Sequence, residues 1–390
     1  MGYESLGLRE NPFPKGGAIL KPASADPREN GSIFSVNARA REIEQFEDKF
    51  IGARTAFDDR GRCGFLWAEG DRTTGRGMGK TALATYMKYR VNEGYGRNYF
   101  SGEQKLFCSY VAFKEQLKSK AAFLYKEAFR SFINEGLFSH VASVVGRGDL
   151  AKAGVDEGVA EAVAGKSVKD YLESLSRYKL DEMSTAWDQK FLVKLPDLFL
   201  TQAVRCLKAA GFKGGILVVD DIENLTDKST RAEIENFIKD FGLAFFRADN
   251  EASNSNYFTV ILTTHQQSAQ KISQAWTVAG LSASFPMVPG GQASILTRKP
   301  DMEQCVDIVR QHLKYYRDPS GVSREEFHPF DKDAIETVIQ ESDFHPRRFL
   351  SRFNRVTTEG LSRGVTRITR GFVGEVPEVE EEHTLGIEDL

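Results

Sequence analysis

Thr74-Gly75-Arg76-Gly77-Met78-Gly79-Lys80-Thr81 is the stretch whose reading decides the fold. It follows an apolar run, Gly64-Phe65-Leu66-Trp67-Ala68, and leads into Ala82 to Val91, which reads as helix. Strand, glycine-rich loop and helix in that order are the setting in which such a loop cradles phosphate. Glycines let successive backbone N–H groups turn inward, and the helix N-terminus adds partial positive charge. In that setting Lys80 reaches the β- and γ-phosphates of a nucleoside triphosphate, and the Thr81 hydroxyl is placed for Mg²⁺. The expected nucleotide-binding set is Thr74, Gly75, Arg76, Gly77, Met78, Gly79, Lys80, Thr81 and Ala82. The loop departs from the usual pattern in having Thr74 where glycine is standard and Gly77 as an extra glycine.

A second motif lies far along the chain. Ile216-Leu217-Val218-Val219 is a bare apolar run, as expected of a strand buried on both faces, and Asp220-Asp221-Ile222-Glu223 follows it. The carboxyl end of a parallel strand beside the phosphate loop is where ligands bind. Asp220 is expected to hold Mg²⁺ there together with Thr81. Asp221 or Glu223 is expected to orient or deprotonate the attacking water. In hydrolytic relatives the residue after the metal-site Asp is usually Glu; here it is Asp221, one methylene shorter.

The 390 residues suffice for two or three structural units, with 41% hydrophobic and 27% charged residues, an ordinary soluble composition. A net charge of -3 gives no global basic field for nucleic acid. Cys63, Cys108, Cys206 and Cys305 are far apart, without metal-ligand spacing or a disulfide framework. With no signal-like start and no apolar run long enough for a bilayer, the expectation is a cytoplasmic protein without membrane contact.

Residues 1–35 are turn-rich and read as an irregular arm draped on the core through Leu6, Leu8 and Phe13. Residues 36–288 read as the α/β core, with strands at 64–70, 105–113, 215–219 and 258–264, a short strand near Ser282–Pro286, and a mostly helical insertion at about 114–200. Pro289-Gly290-Gly291 marks a boundary, and 292–373 reads as a helical lid with helices at Met302–Tyr316, Lys332–Glu341 and His345–Gly360. The tail, 374–390, carries seven acids and no Lys or Arg, and is expected to be disordered. The fold class is α/β: a P-loop NTPase core with a parallel sheet, a helical insertion and a C-terminal helical lid.

Taken together, the two motifs resemble those of the AAA+/STAND group of P-loop ATPases. Gly7-Leu8-Arg9-Glu10-Asn11-Pro12-Phe13 is similar to a box in ATPases related to secretion and transposition. Ala209-Ala210-Gly211-Phe212-Lys213-Gly214-Gly215 with Glu223-Asn224-Leu225 resembles ATP-binding proteins of bacterial phage-exclusion (BREX-type) systems. The resemblance implies ATP and Mg²⁺ as ligands and hydrolysis of ATP to ADP and phosphate, slowed by Asp at 221. It places a γ-phosphate sensor at Thr264 or His265, ending the strand that begins at Phe258. It places a phosphate-reading lid arginine at Arg347, in Asp343-Phe344-His345-Pro346-Arg347-Arg348, where Phe344 replaces a glycine. No basic residue but Lys271 lies between His265 and Leu281, so a trans-acting arginine finger is absent, displaced to Arg247 or Arg298, or supplied by another protein. The implied role is a DNA-associated step in bacterial defence or mobile-element biology, with a homo-oligomer or protein partner. The alternative is a nucleotide-gated protein switch without DNA. The arginines at 352, 355, 363, 367 and 370 read as a solvated helix face in preference to a phosphate-backbone contact.

Overall fold

Strands that are apolar at nearly every position need cover on both faces, and a parallel sheet wrapped by helices supplies it. The computed structural model describes residues 2–15, 25–52, 62–70, 75–99, 105–113, 127–128, 131–155, 157, 160, 201–227, 229–246, 257–319 and 325–377. Five strands form one sheet: β1 (Arg62–Ala68), β2 (Lys105–Ala112), β3 (Phe212–Asp220), β4 (Phe258–His265) and β5 (Ser294–Thr297). Their order is β2-β3-β4-β1-β5, and every neighbouring pair is parallel. All carboxyl ends therefore share one edge of the sheet. The helices Lys80–Asn92, Thr201–Ala209, Arg231–Phe246 and Gln266–Val278 accompany it. Every residue of β4 is buried, as its unbroken apolar run requires.

The register explains one glycine. Phe107 of β2 pairs with Gly215 of β3. A Cβ at Gly215 would lie 2.2 Å from Phe107 Cζ, so the glycine makes room for the ring. Phe107 then meets Phe132, Phe212 and Phe258 edge-on at 5.6–6.1 Å, a favoured aromatic arrangement.

The chain divides into two compact units, Arg41–Arg298 and Met1–Ala40 with Lys299–Leu390. The sheet belongs to the first. The second is helical: Met302–Tyr316, Lys332–Glu341, Pro346–Ser362 and the short Arg370–Glu375. Its first long helix opens with a capping box, Asp301 accepting from Gln304 N–H and Gln304 accepting from Asp301 N–H.

Leu6, Leu8 and Phe13 are buried in the core of this helical unit. Phe13 stacks on Phe353 at 5.0 Å, and Asn354 Nδ2 donates to Phe13 O at 2.6 Å. Asn11 Nδ2 donates to Asn354 O at 2.9 Å, and His312 Nδ1 donates to Pro12 O at 2.9 Å. In this chain, Asn11-Pro12-Phe13 stitches the N-terminal segment onto a helix pair. Burial pushes the His312 ring down to about 4, which keeps it neutral and suited to that one bond.

Two expectations need correction. Residues 282–286 make turns and not a strand, because Phe285 is spent on packing: its ring meets Phe246 at 4.8 Å and its carbonyl accepts from Trp276 Nε1 at 2.8 Å. The fifth strand instead lies beyond Pro289-Gly290-Gly291, at Ser294–Thr297, paired with Phe65–Ala68 of β1. Residues 294–297 thus complete the sheet and do not begin the helical lid. The structure describes only parts of the insertion, and residues 161–200, the tail from 378, Thr74 and Arg247 lie outside the described residues. Among the described residues, no helix is long and apolar enough to cross a membrane.

Candidate nucleotide site

β1 ends at Ala68, and the described residues resume at Gly75 before the helix Lys80–Asn92. Gly77 and Gly79 have φ of 85° and 93°, the left-handed region that favours glycine. Gly79 is the N-cap of the helix, and its carbonyl accepts the first helical bond, from Leu83 N–H at 3.0 Å. The N–H groups of Lys80, Thr81 and Ala82 thus fall in the first turn, where an α-helix offers them no internal acceptor. Lys80 and Met78 are buried, Arg76 half-buried. The helix is held down by Leu83, Ala84, Met87 and Val91, all at 0% exposure, and by the ion pair Lys88 Nζ–Glu135 Oε1 at 2.7 Å.

Asp220, two strands away on β3, reaches this turn: Thr81 Oγ1 donates to its Oδ2 at 2.6 Å. β3 is not beside β1 as the two motifs suggested; β4 lies between them. β4 contributes Thr263, whose hydroxyl donates to Asp220 Oδ1. A fourth group, the Tyr110 phenol from β2, also donates to Oδ2. Neither Thr263 nor Tyr110 is in the expected site set. The signal for Thr263 was present, since side chains alternate along a strand and Thr263, not Thr264, shares the face toward β3's acid. Tyr110 has no motif to mark it.

Asp221 follows with φ 58°, a left-handed conformation that costs an ordinary residue of order 1 kcal/mol and that clusters at functional sites. Its N–H donates to Asp220 Oδ1 and is within reach of Thr263 Oγ1, both at 3.1 Å. Desolvation, then the charges of Asp220 and Glu223, push its carboxyl up to about 7, against the pull of Lys80 and Arg76. Asp221 is exposed, and water there screens the repulsion from its neighbours.

Glu223 is 1% exposed, and among the described residues its Oε2 has no hydrogen-bond partner. Burial raises its carboxyl above the ordinary glutamate value, with Lys80 the strongest opposing charge. The pair Asp221/Glu223 is therefore a set of carboxyls raised above their ordinary values, and so better proton acceptors, within the field of Lys80 and Arg76.

The expected sensor residues divide. Thr264 is fully buried and its hydroxyl turns to the carbonyl of His265 at 3.3 Å. His265 caps the helix Gln266–Val278, its Nδ1 accepting from Ser268 N–H at 3.3 Å with Ser268 Oγ 3.2 Å from Nε2. That arrangement assigns the neutral Nε2–H tautomer.

In the helical unit, Arg347 is half-buried in the first turn of Pro346–Ser362, with Arg348 exposed beside it. The turn before it holds Asp343 and Phe344 at φ 52° and 57°. Phe344 thus adopts the backbone that a glycine would adopt freely. Along the last long helix and the segment after it, Arg352 donates to the carbonyls of Val373, Val376 and Pro377. Arg355 donates to Pro377 O, Arg363 pairs with Glu359 and Glu375, and Arg367 pairs with Glu325 and Asp331.

Thr81 and Asp220 supply hard oxygen donors, and no cluster of three or more His, Cys, Asp or Glu side chains among the described residues could cage a metal alone. That donor set fits Mg²⁺, which binds through one or two protein oxygens together with substrate phosphates.

No protein-family model matches the chain, and no curated protein matches it. Solved structures similar to it include the ADP form of ORC2 from Aeropyrum pernix, at 11% identity over 92% of this chain and 70% of that one, with a TM-score of 0.47. Drosophila ORC bound to DNA is similar at 13% identity over 93% and 68%, TM-score 0.45. A Walker-type ATPase of Pyrococcus abyssi is similar at 13% identity over 86% and 70%, TM-score 0.41. Likenesses this distant identify neither a family nor a function for this chain.

Proposed function

We propose that this chain is a Mg·ATP-binding P-loop ATPase of the AAA+/STAND kind, which hydrolyses ATP to ADP and phosphate slowly. The observation that carries the reading is the bond between Thr81 and Asp220. Residues far apart in sequence, each expected on separate grounds to meet a metal-bound triphosphate, lie 2.6 Å apart at the N-terminus of a glycine-capped helix.

The roles follow from position. The Lys80 ammonium and the N–H groups of the helix's first turn bind the phosphates. Thr81 and Asp220 hold Mg²⁺, which when bound neutralises charge developing on the phosphates. Glu223 accepts the proton of the attacking water, and Asp221 tunes it by charge and orients it. Thr263 holds Asp220 in place. Arg347 reads the γ-phosphate from the helical lid, and its strained turn is the element that switches with nucleotide state.

For the biological step, the BREX-type resemblance supports a DNA-associated ATPase in bacterial defence. The bonding of Arg352, Arg355, Arg363 and Arg367 to acceptors within their own unit supports the second reading, a nucleotide-gated protein switch, since a phosphate backbone would have to displace those contacts.

Phosphate release should be measured for wild type, Asp220→Ala and Glu223→Gln. Slow Mg²⁺-dependent release that both variants lose supports the assignment; wild-type rates in both variants sink it. Light scattering on a sizing column, with and without ATP and DNA, separates the two biological readings.

A further inference from the structure

A carboxylate offers about four acceptor directions, two on each oxygen. In Asp220 the chain's own donors claim all of them. Oδ1 accepts from the Thr263 hydroxyl and from Asp221 N–H at 3.1 Å; Oδ2 accepts from the Thr81 hydroxyl at 2.6 Å and from the Tyr110 phenol. Asp220 is 1% exposed, so no lone pair is left over for solvent. A hydrated divalent cation can engage this carboxylate only if one donor leaves.

We propose that Tyr110 is that donor: a displaceable latch whose phenol holds on Asp220 the place taken by the hydration shell of an incoming divalent cation. Cation entry and release of Tyr110 are then one event. The inference rests on the reading of the site as a Mg·triphosphate site.

The other three donors are poor candidates to leave. Thr263 is fully buried on a central strand, and its hydroxyl also lies within reach of Asp221 N–H. The Asp221 N–H is main chain, at a residue already held at φ 58°. Thr81 can keep its proton on Asp220 while its oxygen lone pair faces a cation, so it has no need to move. Tyr110 is half-buried and stands on β2, the edge strand of the sheet. Its backbone N–H donates to Ser131 Oγ at 3.2 Å, so the main chain is anchored while the ring turns on two side-chain bonds.

A latch makes a prediction opposite to that of an ordinary supporting residue. Removing a support weakens the cation; removing a competitor strengthens it. Binding of a slowly hydrolysed ATP analogue should be titrated against Mg²⁺ in the full chain and in Tyr110→Phe. The Mg²⁺ midpoint should fall by about ten- to a hundredfold in the variant, the worth of one hydrogen bond to a charged group. Affinity in EDTA should stay unchanged. An unchanged or raised midpoint overturns the latch while leaving the nucleotide site standing. Absence of nucleotide binding in wild type overturns both.

A second readout does not depend on the variant's stability. In 3-fluorotyrosine-labelled wild type, the fluorine resonance missing from the Tyr110→Phe spectrum should shift with analogue plus Mg²⁺ and not with analogue alone. A resonance indifferent to Mg²⁺ rejects the proposal.

Discussion

Glu223→Gln separates a catalytic carboxylate from a structural one. The side chain is 1% exposed and, among the described residues, its Oε2 has no hydrogen-bond partner, so the folded state carries a desolvated charge that Lys80 and Arg76 offset only in part. Burial accordingly raises its carboxyl above the ordinary glutamate value. An acid whose folded value is raised binds more protons folded than unfolded, so stability falls as pH climbs through the window above the unfolded value. The penalty is absent below about pH 4.5, the ordinary glutamate value the shift starts from. It is full once the folded value is passed. Glutamine has the same shape and no charge. Glutamine still buries unsatisfied polar atoms, each costing about 1–3 kcal/mol, but a charged group left unsatisfied costs more, and removing the charge should recover about 1–2 kcal/mol at pH 8. For a unit of this size that is a rise in Tm of about 2–8 °C. The assay is thermal unfolding of wild type and Glu223→Gln without nucleotide, near pH 8 and near pH 4.5. The variant should be more stable at pH 8, equal at pH 4.5, and at least about a hundredfold slower in turnover. A variant less stable at pH 8 would refute the reasoning, because it would mean that the carboxylate holds the fold together.

Other outcomes follow from the same geometry. Asp221→Asn should lower turnover and flatten its pH dependence near neutrality, since the raised Asp221 carboxyl no longer titrates; stopped assays from pH 5.5 to 8.5 would detect an unchanged profile, which contradicts the tuning role. Gly215→Val should destabilise by about 1–3 kcal/mol, because a Cβ 2.2 Å from Phe107 forces the aromatic cluster apart; a loss within 0.5 kcal/mol by urea unfolding would show the cluster to be pliable. Arg347→Ala should bind ADP as wild type does yet lose protection from limited proteolysis by a slowly hydrolysed ATP analogue, with Arg348→Ala as control; the reverse pattern shifts the lid reading by one residue.

Local structure in this chain was largely legible because it follows from local chemistry. The run Ile216–Val219, the Gly-Lys-Thr loop and the helical spacing of Met302–Tyr316 each specify an element without reference to distant residues, and the structure holds all three. What was not legible is what long-range packing decides. Strand order is one case: nothing in β1, β3 or β4 alone says that β4 separates the other two and brings Thr263 to Asp220. Another is Leu6, Leu8 and Phe13, whose apolar character announces burial but not in which unit. Phe285 looked like a strand residue because an apolar side chain packing in a turn leaves the same trace as one in a short strand. Tyr110 is the plainest omission: its role is set by one phenol oxygen reaching across the sheet edge to Asp220, and sequence spacing carries no record of that.

The central claim is that the loop ending in Gly79-Lys80-Thr81 binds the phosphates of a nucleoside triphosphate. Calorimetric titration of wild type and Lys80→Ala with Mg·ATP tests it most directly, with circular dichroism to confirm that both are folded. The account predicts saturable binding by wild type and a loss of about a hundredfold or more, ~2.7 kcal/mol, in the variant. Equal affinity in the two proteins, or no binding by folded wild type, would contradict it.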